Sequence, residues 1–352
     1  MLRALSMLLA VTASAVACGN ADTTPADACA PLPQPGVDTA EGWTGYLGEH
    51  AENIALRVDD GRGAVLEHRV DESAPTASAV KVVHLAAYAQ AVASGELDPN
   101  EAVPIAEWER WYLPGTDGDA HPRALARLGI RAPDATVTLE QMVSAMIQES
   151  DNAVPDYLRD RLGDDAFQAA AERGGWSDFE VPTMLGSTIA ILDPEIDSDS
   201  DSLQTAAQRY ADDPGYREEV SNLAVPEDFE LANDRVDETG AHGTAAGLSS
   251  LHRSIATGEF GPGSEIARAQ LEWQPAPPGT EGLGFKGGSL PGVLTEAMTM
   301  RRTDGTVANA VLLVDRMSPE DYTAATASFA HQQLLLQAMT NPTEFDRLGC
   351  AV

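Results

Sequence analysis

The chain has 352 residues, and its 55 acidic and 22 basic residues give a formal net charge of −33. This charge disfavours nucleic-acid binding and a polybasic membrane patch, because both need clustered Lys and Arg. We interpret the acidity as a solvated surface. Only two of the basic residues are lysines, Lys81 and Lys286. A lysine can act as a base where an arginine stays protonated, so both are candidates for chemistry, with chance codon usage as the alternative.

The first 17 residues have the pattern of a secretory signal. Arg3 supplies the positive start, and the apolar stretch 5–16 is too short to span a bilayer. Ala15-Val16-Ala17 fits a cleavage site, and Cys18 follows it as in a bacterial lipobox. We therefore expect an exported lipoprotein anchored through Cys18 and facing the periplasm or the cell exterior, or a secreted protein if Cys18 carries no lipid.

The three cysteines leave one pair if Cys18 carries lipid. Cys29 and Cys350 lie near the two ends of the mature chain, and termini often lie close together. We predict a disulfide between them, with two free thiols as the alternative. Metal ligation is not expected, because no CxxC, HExxH or comparable spacing occurs.

In chain order, residues 18–37 predict a flexible tether, and one domain is expected over 38–352. Its first elements are a helix over 38–50, strands over 53–59 and 64–69, a helix from 78 to about 94, a helix starting at Thr138 with a capping box to Gln141, and helices over 156–161 and 164–173. Trp108, Trp111 and Tyr112 precede the Thr138 helix, and we expect them either in buried packing or at the edge of a cleft.

The second half begins with the densest acid in the chain, at 193–240. We predict a solvated surface insertion there rather than a calcium site, since the central Gly and the final Glu of an EF-hand loop are missing. Strands follow over 285–290, 294–302 and 306–314, and a last helix is capped by Ser318. These elements predict an α+β fold, with a five-stranded antiparallel sheet built from both chain ends, flanking helices and an inserted helical lobe.

The first candidate motif is Ser78-Ala79-Val80-Lys81. On a helix, residues i and i+3 share one face, and a neutral lysine there can take the proton of the serine hydroxyl. Alone, the motif also fits a surface serine and lysine.

The second candidate motif is Ser150-Asp151-Asn152, directly after the Thr138 helix. Ser150 is a candidate proton relay, Asn152 offers a donor and an acceptor to an amide substrate, and Asp151 is expected to accept bonds from the turn. An ordinary polar loop at a helix end is the alternative.

The third candidate motif is Lys286-Gly287-Gly288, at the start of a strand. Two glycines in a strand leave room for a ligand to approach the backbone, and Lys286 adds positive charge beside it. A bulge with a solvated lysine is the alternative.

Together, in the order SxxK, SDN and KGG, these motifs resemble those of the class A serine β-lactamases and the penicillin-binding proteins. The resemblance runs from about residue 38 to 340, and the segments 242–248 and 256–259 resemble the helix before the third motif. It implies a nucleophile, a base, a proton relay and an electrostatic partner, which are Ser78, Lys81, Ser150 and Lys286 in that order.

The resemblance also assigns the backbone and substrate contacts. The N–H groups of Ser78 and Ser289 would form the oxyanion hole, and Asn152, Gly287 and Gly288 would contact the substrate. No metal or organic cofactor is implied. The implied partner is a small β-lactam or cell-wall peptide, bound by a monomer.

Two departures from the family pattern affect the prediction. Gly287 replaces a Thr or Ser whose hydroxyl helps hold the substrate carboxylate, and Ser289 replaces it only in part. Residues 174–192 lack the ExxLN pattern with the deacylating Glu; Glu180 is the only glutamate there, in a different context. We therefore expect a serine hydrolase that opens β-lactam or related cell-wall amides with slow deacylation. The alternatives are a D-alanyl-D-alanine peptidase and a catalytically weak lipoprotein that binds peptidoglycan.

Overall fold

The computed structural model describes Cys29, residues 31–224 and residues 226–352. The predicted signal segment and the lipid site at Cys18 lie outside the described residues. The helices are α1 (Ala40–Glu49), α2 (Lys81–Ser94), α3 (Ile105–Glu109), α4 (Ala120–Leu128), α5 (Leu139–Gln148), α6 (Ala153–Leu162), α7 (Asp164–Arg173), α8 (Met184–Leu192), α9 (Ser200–Asp212), α10 (Pro214–Ser221), α11 (Phe229–Thr239), α12 (Ala245–Thr257), α13 (Ser264–Leu271), α14 (Pro319–Ser328), α15 (Ala330–Thr340) and α16 (Pro342–Gly349). Within the described ranges, none of these helices is both long and apolar enough to cross a membrane.

One antiparallel sheet organises the domain. The strands are β1 (Ile54–Asp59), β2 (Val65–His68), β3 (Ala74–Pro75), β4 (Ala102–Pro104), β5 (Thr136–Thr138), β6 (His242–Gly243), β7 (Thr280–Leu290), β8 (Val293–Arg302) and β9 (Val307–Val314). The main sheet has the order β2-β1-β9-β8-β7, and two short ribbons pair β3 with β6 and β4 with β5. The predicted five-stranded sheet from both chain ends is confirmed, and β7 is left as one of its edges.

The two faces of the sheet enter two different apolar cores. Because strand residues alternate between faces, Ala55 points to one side of β1 and Leu56 to the other. Ala55 packs in the core of the helical lobe, where α2 runs buried through the centre. Leu56 packs with Trp43 of α1 and Leu334 of α15 on the opposite face. The sheet is thus the middle layer of the fold.

Local signals place several helix ends. The capping box between Thr138 and Gln141 is present at the start of α5, as predicted. Ser318 caps α14, and its hydroxyl accepts a hydrogen bond from the N–H of Asp321. Gly95 ends α2 in the left-handed conformation, with φ of +80°, which costs a glycine no strain.

The acidic segment 193–240 is more ordered than the sequence indicates. It is not only a solvated insertion, because it contains the whole of α9, α10 and α11, and Leu203, Tyr210 and Val236 are buried. The acids occupy helix caps and exposed faces; Asp199, for example, accepts a bond from Ser202 N at the start of α9. The sequence prediction relied on the density of acidic residues and therefore overlooked the apolar residues along one side of each helix.

The chain before α1 packs on the domain. Residues 32–37, which the sequence assigned to the flexible tether, instead lie against α1, on a face lined by glycines at 42, 45 and 48. A Cβ on Gly42 would come within 2.9 Å of Gly36 O, and one on Gly48 within 2.5 Å of Leu32 Cδ1. The missing side chains therefore make room for this segment.

The two chain ends are joined covalently. Cys29 and Cys350 form a disulfide across 321 positions, with their Cα atoms 5.3 Å apart. The pairing proposed from the cysteine count is the one present in the structure.

Candidate active site

The candidate nucleophile lies on a tight turn before the central helix. Ser78 belongs to a 3₁₀ turn, Ala77–Val80, and the α-helix starts only at Lys81, so the helix predicted from residue 78 begins three residues later. Ala77 has φ of +44°, a strained value for a residue with a side chain. A Cβ on Gly288 would overlap with Ser78 N, so only glycine lets the edge strand approach this turn.

Lys81 is completely buried and points at the second motif. Its Nζ lies 2.6 Å from Ser150 O, 3.2 Å from Ser150 Oγ and 2.5 Å from Asn152 Oδ1. Burial lowers the pKa of Lys81 well below its ordinary value, and the charge of Lys286 lowers it further. The amine is therefore biased towards its neutral, basic form.

The partners of Lys81 are compatible with both forms of its amine. A protonated amine has three N–H donors, and Ser150 O, Ser150 Oγ and Asn152 Oδ1 can accept all three. A neutral amine can still donate to Ser150 O and Asn152 Oδ1, and its lone pair is then free to take a hydroxyl proton. All three contacts go to the 150–152 turn, and Ser78 lies one helical turn before the amine on the same chain segment.

Lys286 reaches the same hydroxyl from the sheet. Its Nζ donates to Ser150 Oγ at 3.1 Å and to Gly287 O at 2.6 Å. Burial lowers the pKa of Lys286 to about 8, and Glu296 opposes this shift. Beside it, His252 is buried and its pKa is lowered to about 3 by burial and by Lys286, so His252 stays neutral. The Ser150 hydroxyl thus sits between the two lysines of the chain.

The turn that carries Ser150 is held by a buried carboxylate. Asp151 is fully buried, and its Oδ1 accepts from Trp108 Nε1 at 3.0 Å and from Ala153 N at 2.9 Å. Its Oδ2 lies 2.6 Å from His121 Nδ1. The structural role predicted for Asp151 is therefore confirmed. Trp108 is buried, which is the first of the two alternatives expected for it. The sequence did not indicate His121, which has no motif around it.

Ser150 itself has an unusual backbone. Its φ is +69°, in the left-handed region that non-glycine residues rarely adopt. The hydrogen bonds of Asp151 to the following N–H groups and of Lys81 to Ser150 O hold this conformation in place. Strain of this kind persists where the surrounding structure overdetermines it, as it does at functional sites.

The edge strand brings the third motif alongside the nucleophile. Lys286 and Gly288 face the helical lobe. Thr295 Oγ1 on β8 lies 2.9 Å from Thr76 O and 3.2 Å from Gly288 O, so its one proton can be donated to either carbonyl. This hydroxyl ties the strand to the turn that carries Ser78. Ser289, which follows the motif, is exposed.

Neither Glu180 nor Asp156 reproduces the arrangement expected of the deacylating glutamate in the family pattern. Glu180 is exposed and makes no side-chain hydrogen bond within the described part of the chain. Asp156, which the sequence did not single out, is 2% exposed. It accepts from Thr183 Oγ1 at 2.5 Å and Leu185 N at 2.9 Å, and burial raises its pKa. Both of its oxygens are thus used to fasten the start of α8 to α6.

Comparison with known proteins agrees with this fold. A family model described as the Beta-lactamase enzyme family matches residues 45–259, more than half of the chain. The chain belongs to this family. No curated protein matches the sequence significantly.

Solved structures of similar fold extend over nearly the whole described chain. The β-lactamase of Sphaerobacter thermophilus has a TM-score of 0.56 at 19% identity, covering 84% of this chain and 96% of that chain. PBP-A has a TM-score of 0.50 at 17% identity, with coverages of 86% and 99%. The β-lactamase of Desulfarculus baarsii has a TM-score of 0.50 at 17% identity, with coverages of 82% and 95%. At these identities the comparison establishes the fold, that of a β-lactamase-like serine hydrolase.

Proposed function

We propose that the protein is a serine acyl-enzyme hydrolase that opens β-lactams or related cell-wall amides through Ser78. The observation that carries the proposal is the position of the Ser150 hydroxyl, 3.2 Å from Lys81 Nζ and 3.1 Å from Lys286 Nζ. These groups form a path for a proton, with Lys81 as a buried amine of lowered pKa, Ser150 as a hydroxyl relay and Lys286 as a second cation. A site that only binds a ligand does not need such a path.

Acylation begins with a proton transfer from Ser78. Lys81 takes the hydroxyl proton of Ser78 while Ser78 Oγ bonds to the substrate carbonyl carbon, and the N–H groups of Ser78 and Ser289 stabilise the developing oxyanion. When the C–N bond breaks, Ser150 gives its proton to the leaving nitrogen. Ser150 regains a proton from Lys81 across their 3.2 Å contact, which returns both groups to their starting forms.

Deacylation is expected to be slow in this protein. Hydrolysis of the ester needs a base that activates water on the substrate side of Ser78. Asp156 has both oxygens hydrogen-bonded, and Glu180 is exposed. These observations support an acyl-enzyme that forms faster than it decays.

Slow deacylation also favours the second candidate function, a D-alanyl-D-alanine peptidase. A variant of PBP-A, whose fold this chain matches with a TM-score of 0.51, was solved as an acyl-enzyme complex with penicillin G. A peptidase acylated by penicillin would behave as we expect here, so substrate turnover has to separate the two candidates.

The test uses the mature protein with a chromogenic cephalosporin and a fluorescent penicillin. We expect covalent labelling of Ser78, detected by intact-protein mass and peptide mapping, with little colour from the cephalosporin. Rapid colour would establish an efficient β-lactamase and would refute slow deacylation. Release of D-alanine from a D-alanyl-D-alanine peptide would favour the peptidase.

The control for this test is a matched pair of serine variants. Ser78→Ala should lose the label, whereas Ser73→Ala, which changes an exposed serine five residues earlier, should keep it. Labelling that survives Ser78→Ala would contradict the assignment of the nucleophile.

We further propose that the protein is exported and anchored through a lipid on Cys18. The pattern of residues 1–18 supports this proposal. Intact mass of the protein extracted from membranes should show a diacylglyceryl addition that Cys18→Ser removes, and an unmodified Cys18 in the mature protein would refute the anchor.

A further inference from the structure

One helix of the acidic segment 193–240 holds the turn that follows the third motif. Asn233 of α11 is 2% exposed, and its Nδ2 donates to Pro291 O at 2.9 Å. Pro291 and Gly292 form the two-residue turn between β7 and β8. A Cβ on Gly292 would overlap with Asn233 Nδ2, so the amide lies directly against the turn. This hydrogen bond therefore restrains the end of β7 from an element outside the sheet.

The same turn sets the direction of the Ser289 N–H group. Leu290 and Val293 flank the turn and are paired across it, and a hydrogen bond between two such residues closes a β-turn. Hydrogen-bonded and non-hydrogen-bonded pairs alternate along antiparallel strands, so the N–H of Ser289 points away from β8. It therefore lies at the outer edge of β7, two residues before the carbonyl that Asn233 holds.

The same helix also supports the turn that carries the candidate nucleophile. Val236 of α11 is buried in a small cluster with Ala77 and Val293. Two residues after the helix ends, Ala241 O accepts from Thr76 N at 2.8 Å and from Thr76 Oγ1 at 3.0 Å. The helix and the residues just after it thus contact both the 3₁₀ turn and the β7–β8 turn.

Further contacts join α11 to the other side of the β7–β8 turn. Met317 N donates to the second carbonyl of the turn at 2.9 Å. The preceding residue, Arg316, forms ion pairs with Asp234 at 2.5 Å and with Asp237 at 2.6 Å on α11. Such exposed ion pairs contribute little stability, so we expect the buried amide of Asn233 to restrain the turn more than they do.

We propose that Asn233 is a positioning residue, which fixes the β7–β8 turn so that the N–H groups of Ser78 and Ser289 face the same oxyanion. This inference rests on the proposed acylation of Ser78. A Cβ on Gly288 would overlap with Ser78 N, so a shift of β7 moves one donor relative to the other. One oxyanion donor contributes about 10²- to 10³-fold to the rate, and a displaced donor keeps only part of this. Loss of the Asn233 hydrogen bond should therefore lower the acylation rate constant by about 10- to 100-fold.

The test measures acylation of Ser78 by penicillin G at several concentrations, followed by intact-protein mass. The concentration dependence separates the dissociation constant of the first complex from the acylation rate constant. Asn233→Ala removes the whole amide, whereas Asn233→Leu nearly keeps its shape and removes the hydrogen bond. Both should lower the rate constant by about 10- to 100-fold and change the dissociation constant by less than about threefold, because the oxyanion develops only during reaction. The control Asn222→Ala changes an exposed asparagine of the same segment and should change neither.

Three results would overturn the inference while the proposed function stands. The first is a native rate constant in Asn233→Leu with the melting temperature retained, which would reduce Asn233 to packing. The second is a loss confined to the dissociation constant, and the third is an equal loss in Asn222→Ala. Asn233→Leu fills the space that Asn233→Ala leaves, so the test does not depend on the alanine variant folding. If penicillin G does not acylate Ser78 in the native protein, the proposed function fails and the inference fails with it.

Discussion

The carboxylate of Asp151 is the structural centre of the second motif, and its removal should be among the most damaging single changes near the cleft. Its Oδ1 accepts from Trp108 Nε1 at 3.0 Å and from the N–H groups of Ala153 and Val154 at 2.9 and 3.0 Å. Its Oδ2 pairs with His121 Nδ1 at 2.6 Å. Asp151→Ala leaves all four donors without this acceptor in a buried region.

The magnitude follows from these contacts. Loss of the side-chain acceptor at the start of α6 costs about 1 kcal/mol. Each buried donor left unpaired, Trp108 Nε1 and His121 Nδ1, adds about 1–3 kcal/mol. We expect Asp151→Ala to lower the free energy of unfolding by about 3–7 kcal/mol. Asp151→Asn should cost only about 1 kcal/mol, because Oδ1 remains and His121 can change tautomer, with its Nε2 proton then directed at Glu109 Oε1, 3.8 Å away.

The assay is urea unfolding followed by tryptophan fluorescence, together with the rate of acylation by penicillin G. Asp151→Ala should also slow acylation at least about tenfold, since Ser150 relays the proton from the same turn. Asp160→Ala, at an exposed carboxylate of the same helix, is the matched control and should change neither. The reasoning is refuted if Asp151→Ala unfolds within 1 kcal/mol of the native protein, or if Asp151→Asn is equally damaging.

Three further predictions concern the candidate catalytic groups. Lys81→Met should slow acylation of Ser78 by about 10²- to 10⁴-fold, the usual contribution of a general base. It should also lower the melting temperature, because Ser150 O and Asn152 Oδ1 lose their donor. Intact-protein mass kinetics showing an undiminished rate would exclude Lys81 as the base. Because Lys286 acts as a cation and burial lowers its pKa to about 8, the acylation rate should fall as the pH rises through about 8. Lys286→Arg should move that fall above pH 10, and a falling limb that stays near pH 8 in the variant would assign it to another group. Gly288→Ala should abolish acylation because the added methyl group would overlap with Ser78 N. The measurement is the yield of acyl-enzyme. A yield like that of the native protein would show that β7 can move away from Ser78 and would contradict the prediction.

Residues close in sequence encode much of the fold. The capping box of Thr138 and Gln141, the N-cap of Ser318 and the alternation of the β-strands depend on neighbours within a few positions. For that reason the helix starts and the five-stranded sheet were predictable. The helix expected from Ser78 begins later because Ala77 adopts a positive φ and the chain first forms a 3₁₀ turn. This turn packs against β7, a contact that the local sequence does not indicate.

The predictions that failed depended on tertiary contacts. The segment 32–37 was assigned to a tether because it lacks periodicity, but three small residues on one face of α1 let it pack there. The acidic stretch was predicted to be solvated from its charge, whereas its apolar residues, such as Tyr210, are buried between helices. In both cases the segment packs against another part of the fold, and amino-acid composition does not describe that contact.

The sequence by itself determined the chemical groups of the candidate site, since SxxK, SDN and KGG are local motifs and the two lysines are the only ones in the chain. Only the tertiary structure decided how they meet. Ser150 lies 69 positions after Lys81 and 136 before Lys286, yet its hydroxyl contacts both amines. The pairing of Gly287 with Glu296 likewise follows from strand register. Register and helix packing set such contacts over long separations, and no local pattern records them.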